Sequence, residues 1–464
     1  MKKFTKILFC LMLCVLTFGF AACKGNGDHP PKGAVAQGNG GFSVQVENYL
    51  YFVNGYFATS DMKNKSDTYS VGALMVAELD ENGNLVVDEN GCVTNARVLS
   101  SSLCGFEATN LFAYNGYLYF TTPCLENVAG KVDESDWAKE RVVFNRMNLE
   151  TEKVEKIYQS SVENSKLEYK YFLNGTKPYL MVFEKGANLD NSKKENVLYR
   201  VNIADKNKVD EVATNLTGVV FNTTANVEVS YSDECKNVFY SVEVEEDDET
   251  YYALYRYNVA TNKATEFTTN DNEITVKFVS NKYVYATIKN GDNHDLYRAN
   301  YTSDSNLKML FTSSVYTNIY LTEDGESVVA VKDNQILMHQ NGAANANVNK
   351  IMDGDATTLT VIDLVDGYVV FHDENNNLKV ASYANLMGTT HAEIRTLISL
   401  EGIYTPKDGE DSLSAFDMDD EFVYFYKTVG SNKYLFRLKV NNHTNQVEEL
   451  VGVYNEADIP ADEE

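Results

Sequence analysis

A short phrase recurs along this chain and constrains its fold more than any other feature. It consists of a leucine, an aromatic residue and an arginine followed by two further residues, and it occurs at Leu198–Asn202, Leu254–Asn258, Leu296–Asn300 and Leu435–Lys439. The phrase at Leu254 is followed by the next one 42 residues later, and the last phrase comes 139 residues after that, close to three periods of about 46. A period of this size is typical of solenoids, propellers and repeat arrays.

Each repeat divides into four short runs of aromatic and β-branched residues, which predict strands A to D. We predict eight copies, in which strand B lies at Tyr49–Val53, Tyr117–Phe120, Tyr179–Phe183, Asn237–Val242, Lys282–Ala286, Ser327–Val331, Tyr368–Phe371 and Phe422–Tyr426. In copy two, Asn115-Gly116 separates strands A and B, which is the strongest short-range signal for a β-hairpin.

Four strands in each repeat and no helical periodicity predict an all-β fold, a β-propeller of four-stranded blades. We expect eight blades, with seven as the alternative count. A solenoid would need atypical repeats at its ends, whereas copies one and eight are full members, which favours a closed ring.

The first residues have the pattern of an export signal. Lys2, Lys3 and Lys6 precede the apolar run Ile7–Phe20, which is too short to span a bilayer comfortably. We therefore divide the chain into a signal peptide at residues 1–22, a flexible Gly/Pro tether at 23–40, the propeller at 41–456 and an acidic tail at 457–464.

Two resemblances sharpen this division. Phe20-Ala21-Ala22-Cys23 resembles the lipobox of bacterial lipoproteins, with Phe20 in place of the usual Leu. This resemblance implies that Cys23 is lipidated and anchors the protein to the extracytoplasmic side of a bacterial cell membrane. The alternative is an ordinary secretory signal that is cleaved nearby.

The repeats are similar to those of bacterial lipoproteins with TolB-like and YWTD-like propellers. The residues that carry the similarity are Asn115–Phe120, Asp366–Phe371 and the Leu-Tyr-Arg strands. The likeness implies a blade architecture and no particular chemistry, because the Tyr-Trp-Thr-Asp tetrad itself is absent from the sequence.

Composition excludes some functions. The formal net charge of −27 disfavours binding to phosphate backbones, so we expect no nucleic-acid partner. The sequence lacks the common nucleophile, phosphate-loop and metal motifs, and we predict no catalytic residues, no cofactor and no metal. Acidic clusters at Asp80–Asn84, Asp353–Asp355 and Asp417–Glu421 can be read as calcium ligands or as turn residues.

The regular arginines Arg200, Arg256, Arg298 and Arg437 also allow two interpretations. A ring of arginines could attract anions. Alternatively, each arginine lies along a neighbouring aromatic ring and pairs with an acid on the next strand. We favour this structural role.

Strands alternate in direction, so the B–C and D–A connections share one face of the disc. We predict long B–C loops at Phe57–Val71, Leu125–Glu140, Glu184–Glu195 and Glu245–Thr250. The only tryptophan of the chain, Trp137, lies in the second of these with Asp133, Glu134 and Asp136. We predict that these four residues bind a partner, although Trp137 could instead anchor its own loop.

Cys104 and Cys124 flank strands A and B of copy two, where loops can bring them together. We hypothesise a disulfide between them, while buried free cysteines are the alternative.

These features predict a membrane-anchored extracytoplasmic propeller that serves as a binding or scaffold module for a protein partner or a surface glycan. The alternative is a glycan-acting enzyme that uses carboxylates near the propeller axis.

Overall fold

A computed structural model describes most of the repeat region. The described residues are 37–38, 43–53, 73–86, 93, 95–103, 111–123, 141–163, 166–174, 176–186, 196–221, 237–280, 282–303, 306–322, 324–332, 335–342, 347–351, 360–365, 367–372, 378–383, 395–398, 412–418, 422–429, 432–439 and 447–449.

The described strands form eight antiparallel sheets, numbered here one to eight along the chain. Sheet one contains β2 (Ser43–Val46), β3 (Tyr49–Val53), β4 (Ala73–Glu78) and β5 (Arg97–Leu103). Sheet two contains β1 (Gln37–Gly38), β6 (Phe112–Tyr114), β7 (Tyr117–Pro123), β8 (Arg141–Asn148) and β9 (Val154–Glu163). Sheet three contains β10 (Leu167–Asn174), β11 (Lys177–Glu184), β12 (Val197–Asn202) and β13 (Lys208–Ala213).

The middle of the chain forms the next three sheets. Sheet four contains β14 (Leu216–Val220), β15 (Asn237–Glu246), β16 (Glu249–Asn258) and β17 (Lys263–Asn270). Sheet five contains β18 (Ile274–Val279), β19 (Tyr283–Asn290), β20 (Asn293–Asn300) and β21 (Lys308–Thr312). Sheet six contains β22 (Asn318–Leu321), β23 (Val328–Lys332), β24 (Gln335–His339) and β25 (Asn347–Ile351).

The last two sheets and two short 3-10 helices complete the described elements. Sheet seven contains β26 (Thr360–Val365), β27 (Tyr368–His372), β28 (Leu378–Ser382) and β29 (Arg395–Ile398). Sheet eight contains β30 (Ser412–Met418), β31 (Phe422–Val429), β32 (Asn432–Lys439) and β33 (Val447–Glu449). The 3-10 helices lie at Ser313–Val315 and Gln340–Gly342.

Every sheet has the strand order A-B-C-D, with sequential neighbours paired, and sheet two carries β1 in addition. The predicted hairpin at Asn115-Gly116 is present. Both residues have positive φ, as a two-residue turn of this kind requires, and Tyr114 pairs with Tyr117 across it.

Consecutive sheets pack face to face through apolar layers. One layer joins Phe112, Tyr119 and Phe144 of sheet two to Tyr171 and Leu180 of sheet three. Within it, the rings of Phe112 and Tyr171 stack with centroids 5.0 Å apart. Similar layers join sheets three and four, four and five, five and six, and six and seven.

The strand A elements lie side by side: β2 contacts β6, β14 contacts β18, β22 contacts β26, and β26 contacts β30. The A strands are therefore the axial strands, and the sheets fan outward from them as blades. The all-β propeller fold predicted from the sequence is confirmed.

Sheet eight also contacts sheet one. Tyr424 of β31 is fully buried in the same apolar cluster as Val44, Leu50 and Leu74 of sheet one. This contact supports closure of a ring, and the predicted count of eight blades is consistent with the eight described sheets.

The strand directions define two faces. We call the face with the B–C and D–A connections the loop face, and the face with the A–B and C–D connections the turn face.

Candidate functional site

The hairpin of β15 and β16 projects from the loop face of sheet four. The last pairing of β14 joins Leu216 to Val242, and the last pairing of β17 joins Asn270 to Tyr252. Beyond those positions β15 and β16 pair only with each other, as far as Glu246 and Glu249. The tip therefore rises as a two-stranded ribbon above the four-stranded sheet.

This tip corrects a prediction, because Glu245–Thr250 was predicted as a long B–C loop. The structure instead continues the strand ladder to a two-residue turn at Asp247 and Asp248, both with positive φ. Asp tolerates that conformation better than most residues, so an acidic pair can close the hairpin. The acidic composition suggested a loop, but cross-strand backbone hydrogen bonds do not require apolar side chains.

The tip combines carboxylates with tyrosines. Its exposed acids are Glu243, Glu245, Glu246, Asp247, Asp248 and Glu249. Tyr251 lies beside them and its hydroxyl is 3.4 Å from a carboxylate oxygen of Glu246. Further down the hairpin, the rings of Tyr240 and Tyr255 stack with centroids 5.3 Å apart. The ribbon thus exposes carboxylates at its tip and has stacked tyrosine rings where it joins the sheet.

The acids also raise the pKa values of two tyrosines of the ribbon. Desolvation and the carboxylate of Glu246 raise the pKa of Tyr251. Desolvation together with Glu243 and Glu273 raises the pKa of Tyr252. These tyrosines stay neutral donors at physiological pH, and the surface around them keeps its negative potential. Such a surface attracts cationic groups and can hydrogen-bond hydroxyl groups.

The site residues predicted from the sequence lie outside the described residues. This applies to the predicted binding residues Trp137, Asp133, Glu134 and Asp136, to the lipidation site Cys23 and to the pair Cys104 and Cys124. Of the four predicted long B–C loops, that of sheet four is the one that the described residues cover in full.

The regular arginines have a structural role that goes beyond the prediction. Arg200 forms the predicted ion pair with Asp210 on the adjacent strand, at 2.9 Å, and lies over the ring of Tyr179. It also donates to the backbone carbonyl of Val259 in sheet four. In the same way, Arg256 reaches the carbonyl of Tyr301 in sheet five.

The arginine of sheet five completes the series. Arg298 donates to the carbonyls of Glu326 and Asn341 in sheet six, at 3.1 and 3.0 Å. Its guanidinium also stacks over Tyr283 of its own sheet. The strand C arginines of sheets three to five therefore join consecutive sheets.

No role was assigned from the sequence to the asparagine that follows the Leu-Tyr-Arg phrase. The side-chain oxygen of Asn258 accepts from the amide of Thr261, and Asn202 and Asn300 cap their C–D turns in the same way. Sheet two follows the pattern with Arg146, which pairs with Glu155, and with Asn148, which caps the next turn. The signal was its fixed position two residues after the arginine.

One buried acid was also missed. Glu184 is fully buried at the end of β11. It accepts hydrogen bonds from the hydroxyl of Tyr158, at 2.9 Å, and from the amide and hydroxyl of Ser161 in sheet two. These donors satisfy the carboxylate across the boundary between sheets two and three, so we assign it to blade packing.

The first acidic cluster considered as a calcium site, Asp80–Asn84, forms hydrogen bonds within its own turn. Asp80 accepts from the backbone amides of Asn84 and Asn82, each at 2.8 Å, and these bonds lower the pKa of its carboxyl. Within the described ranges, no group of three or more His, Cys, Asp or Glu side chains converges as a metal site. Asp353–Asp355 and residues 419–421 lie outside those ranges.

The fold and this surface define a β-propeller with a projecting acidic ribbon. The sequence matches no protein family and no curated protein. Solved structures similar to it include propeller proteins. The propeller domain of the Trilobed protease from Pyrococcus furiosus is 12% identical, with 74% of this chain and 96% of that chain covered and a TM-score of 0.44.

Two further structures show the range of these similarities. TolB from Acinetobacter baumannii is 14% identical, with 70% of this chain and 77% of that chain covered and a TM-score of 0.33. A prolyl endopeptidase is 11% identical, with 72% of this chain covered and a TM-score of 0.43. The chain spans 48% of the length of that endopeptidase. In the described part of the chain, no helix is long and apolar enough to cross a bilayer.

Proposed function

We propose that this protein is a lipid-anchored, extracytoplasmic β-propeller that binds a protein partner through its loop face. The observation that carries the proposal is the acidic ribbon of β15 and β16. It extends beyond its sheet, where it adds little to the core, and it exposes carboxylates over stacked tyrosines. Exposed groups held on a rigid scaffold are typical of binding sites.

The partner surface that fits the ribbon is basic. Exposed carboxylates steer lysine- and arginine-rich surfaces toward them, and tyrosines contribute contact area at low cost in conformational entropy. Trp137 and its acidic neighbours belong to the B–C segment of sheet two, and we place them on the same face as part of the binding surface.

Affinity capture from solubilised membranes tests this proposal. The bait is the native lipoprotein, compared with the triple variant Glu245→Gln/Glu246→Gln/Asp248→Asn. The matched control is Glu81→Gln/Glu150→Gln/Asp205→Asn, which removes the same charge from exposed positions on the turn face. We expect the ribbon variant to lose the partner and the control to retain it. Equal capture by both variants would refute the assignment of the site to the ribbon.

The second candidate is a glycan-acting enzyme, and one placement favours it. Asp363 pairs with Val370 in sheet seven, and Asp417 pairs with Tyr424 in sheet eight. Each of the two residues comes directly after a bulge in its strand A, and these two axial strands, β26 and β30, contact each other. In sheet five the position directly after the bulge is occupied by Phe278, which is not an acid. Two acids at matching positions near the axis are compatible with acid–base chemistry on a sugar. Release of reducing ends from surface glycans by the purified protein, abolished by Asp417→Asn, would establish this function instead.

A further inference from the structure

The N-terminal strand β1 pairs with the axial edge of sheet two. Gln37 pairs with Ala113 and Gly38 pairs with Phe112, on the side of β6 that faces away from β7. Because β6 is an axial strand, β1 lies on the axis side of that sheet. The chain therefore passes the axis before it begins sheet one. The segment predicted as a tether as far as residue 40 contains this strand.

The pairing also gives the direction of the chain. β6 runs toward the Asn115-Gly116 turn, and β1 is antiparallel to it, so β1 runs from the turn face to the loop face. The next strand, β2, then runs back from the loop face to the turn at Glu47 and Asn48. It follows that β1 begins on the turn face, so Gln37 is at the end of the strand closest to that face.

We infer that the turn face is the surface that faces the membrane, held there by β1, and that the loop face points away from it. This inference rests on the proposed lipid anchor at Cys23. Thirteen residues, 24–36, separate Cys23 from β1, and flexible chains of that length span roughly 20 Å on average. A tether of that length that leaves from the turn face brings this face to the bilayer more readily than the opposite one.

The charges of the two faces differ. The C–D turns of the turn face carry both exposed lysines (Lys153, Lys206 and Lys263) and exposed acids (Glu81, Glu150 and Asp205). The tip of the ribbon on the loop face, residues 243–252, carries acids and no lysine or arginine. An anionic headgroup layer therefore repels the loop face more strongly than the turn face. The partner surface inferred for the turn face is thus an anionic lipid headgroup layer.

Cross-linking tests the strand that fixes the orientation. In a variant with Cys92, Cys104, Cys124 and Cys235 replaced by serine, Gln37→Cys and Ala113→Cys occupy directly paired positions. Such positions are close enough for a disulfide. We expect bridge formation on mild oxidation, whereas Gln37→Cys with Ile319→Cys of β22 serves as the unpaired control. Absence of the first bridge, or equal bridging in both, would overturn the placement of β1.

Depth-dependent quenching tests the orientation itself. A fluorophore is attached at Lys263→Cys on the turn face or at Asp248→Cys on the loop face, in the lipidated protein on vesicles with nitroxide-labelled anionic headgroups. With a tether of roughly 20 Å, we expect at least about twofold stronger quenching at position 263 than at position 248. Equal or reversed quenching would overturn the inference.

Flotation separates this inference from the proposal on which it rests. If the protein does not float with the vesicles, the lipid anchor is wrong and the inferred orientation fails with it. If it floats but quenching is equal or reversed, the anchor stands and the orientation alone is wrong. Partner capture through the ribbon is measured independently of both.

Discussion

The guanidinium Nε of Arg200 donates a hydrogen bond to the backbone carbonyl of Val259, 2.9 Å away, and so joins sheet three to sheet four. The side chain of Arg200 is buried, and its Nη1 also pairs with Asp210. A single residue thus connects strand C, strand D and the next blade.

Replacing this arginine should destabilise the propeller. We expect Arg200→Ala to lower the free energy of unfolding by about 2–3 kcal/mol, because a buried charged donor is lost and the carbonyl of Val259 loses its partner. Lys208→Ala is the matched control, since the exposed Lys208 pairs with the same Asp210 but does not reach the next sheet. We expect it to cost under about 1 kcal/mol. Similar shifts of the urea midpoint in both variants would contradict the inter-blade role.

Alkaline pH should weaken the fold through its buried tyrosines. Burial raises the pKa of Tyr119, Tyr240 and Tyr285 to about 12 in each case. A raised folded-state pKa contributes stability that is fully present below the unfolded value near pH 10 and is lost as pH rises through 12. We therefore expect the urea midpoint to fall between pH 10 and 12.

Tyr240→Phe isolates one of these groups. It keeps the ring of this buried residue and removes its titration, so it should reduce the pH dependence by at most about 1.4 kcal/mol per pH unit. An unchanged slope in Tyr240→Phe would show that Tyr240 does not contribute to the alkaline loss.

Trp137 should act in binding more than in stability. We expect Trp137→Ala to weaken capture of the partner while the melting temperature stays unchanged, because the residue lies in a connection and not in a predicted strand. Tyr251→Phe, which removes a hydroxyl from the ribbon, provides a comparison on the same face. Retained binding with a lowered melting temperature would make Trp137 an anchor of its own loop.

Processing should place Cys23 at the mature N-terminus. We expect mass spectrometry of the membrane-extracted protein to find an N-terminal peptide that begins at a diacylated Cys23. Cys23→Ser should release the protein from the membrane fraction. An unmodified N-terminus at another position would leave an ordinary secretory signal as the explanation.

The sequence predicted the blades well because their signals are local. Alternating apolar residues placed β7, β27 and β31, and the Asn115-Gly116 dipeptide placed the first turn. The contact of Arg200 with Val259 was not predictable in this way, because it depends on how neighbouring sheets pack. The ribbon of β15 and β16 was missed for a different reason, since its acidic residues carry no apolar alternation beyond Val244.

The two faces and the role of each exist only if the sheets close into a ring, so a crystal structure of the mature protein is the most direct test of this account. We predict eight four-stranded blades, with Tyr424 of blade eight buried against Val44 and Leu50 of blade one. A ring of seven blades, or an open stack in which Tyr424 is exposed, would contradict it.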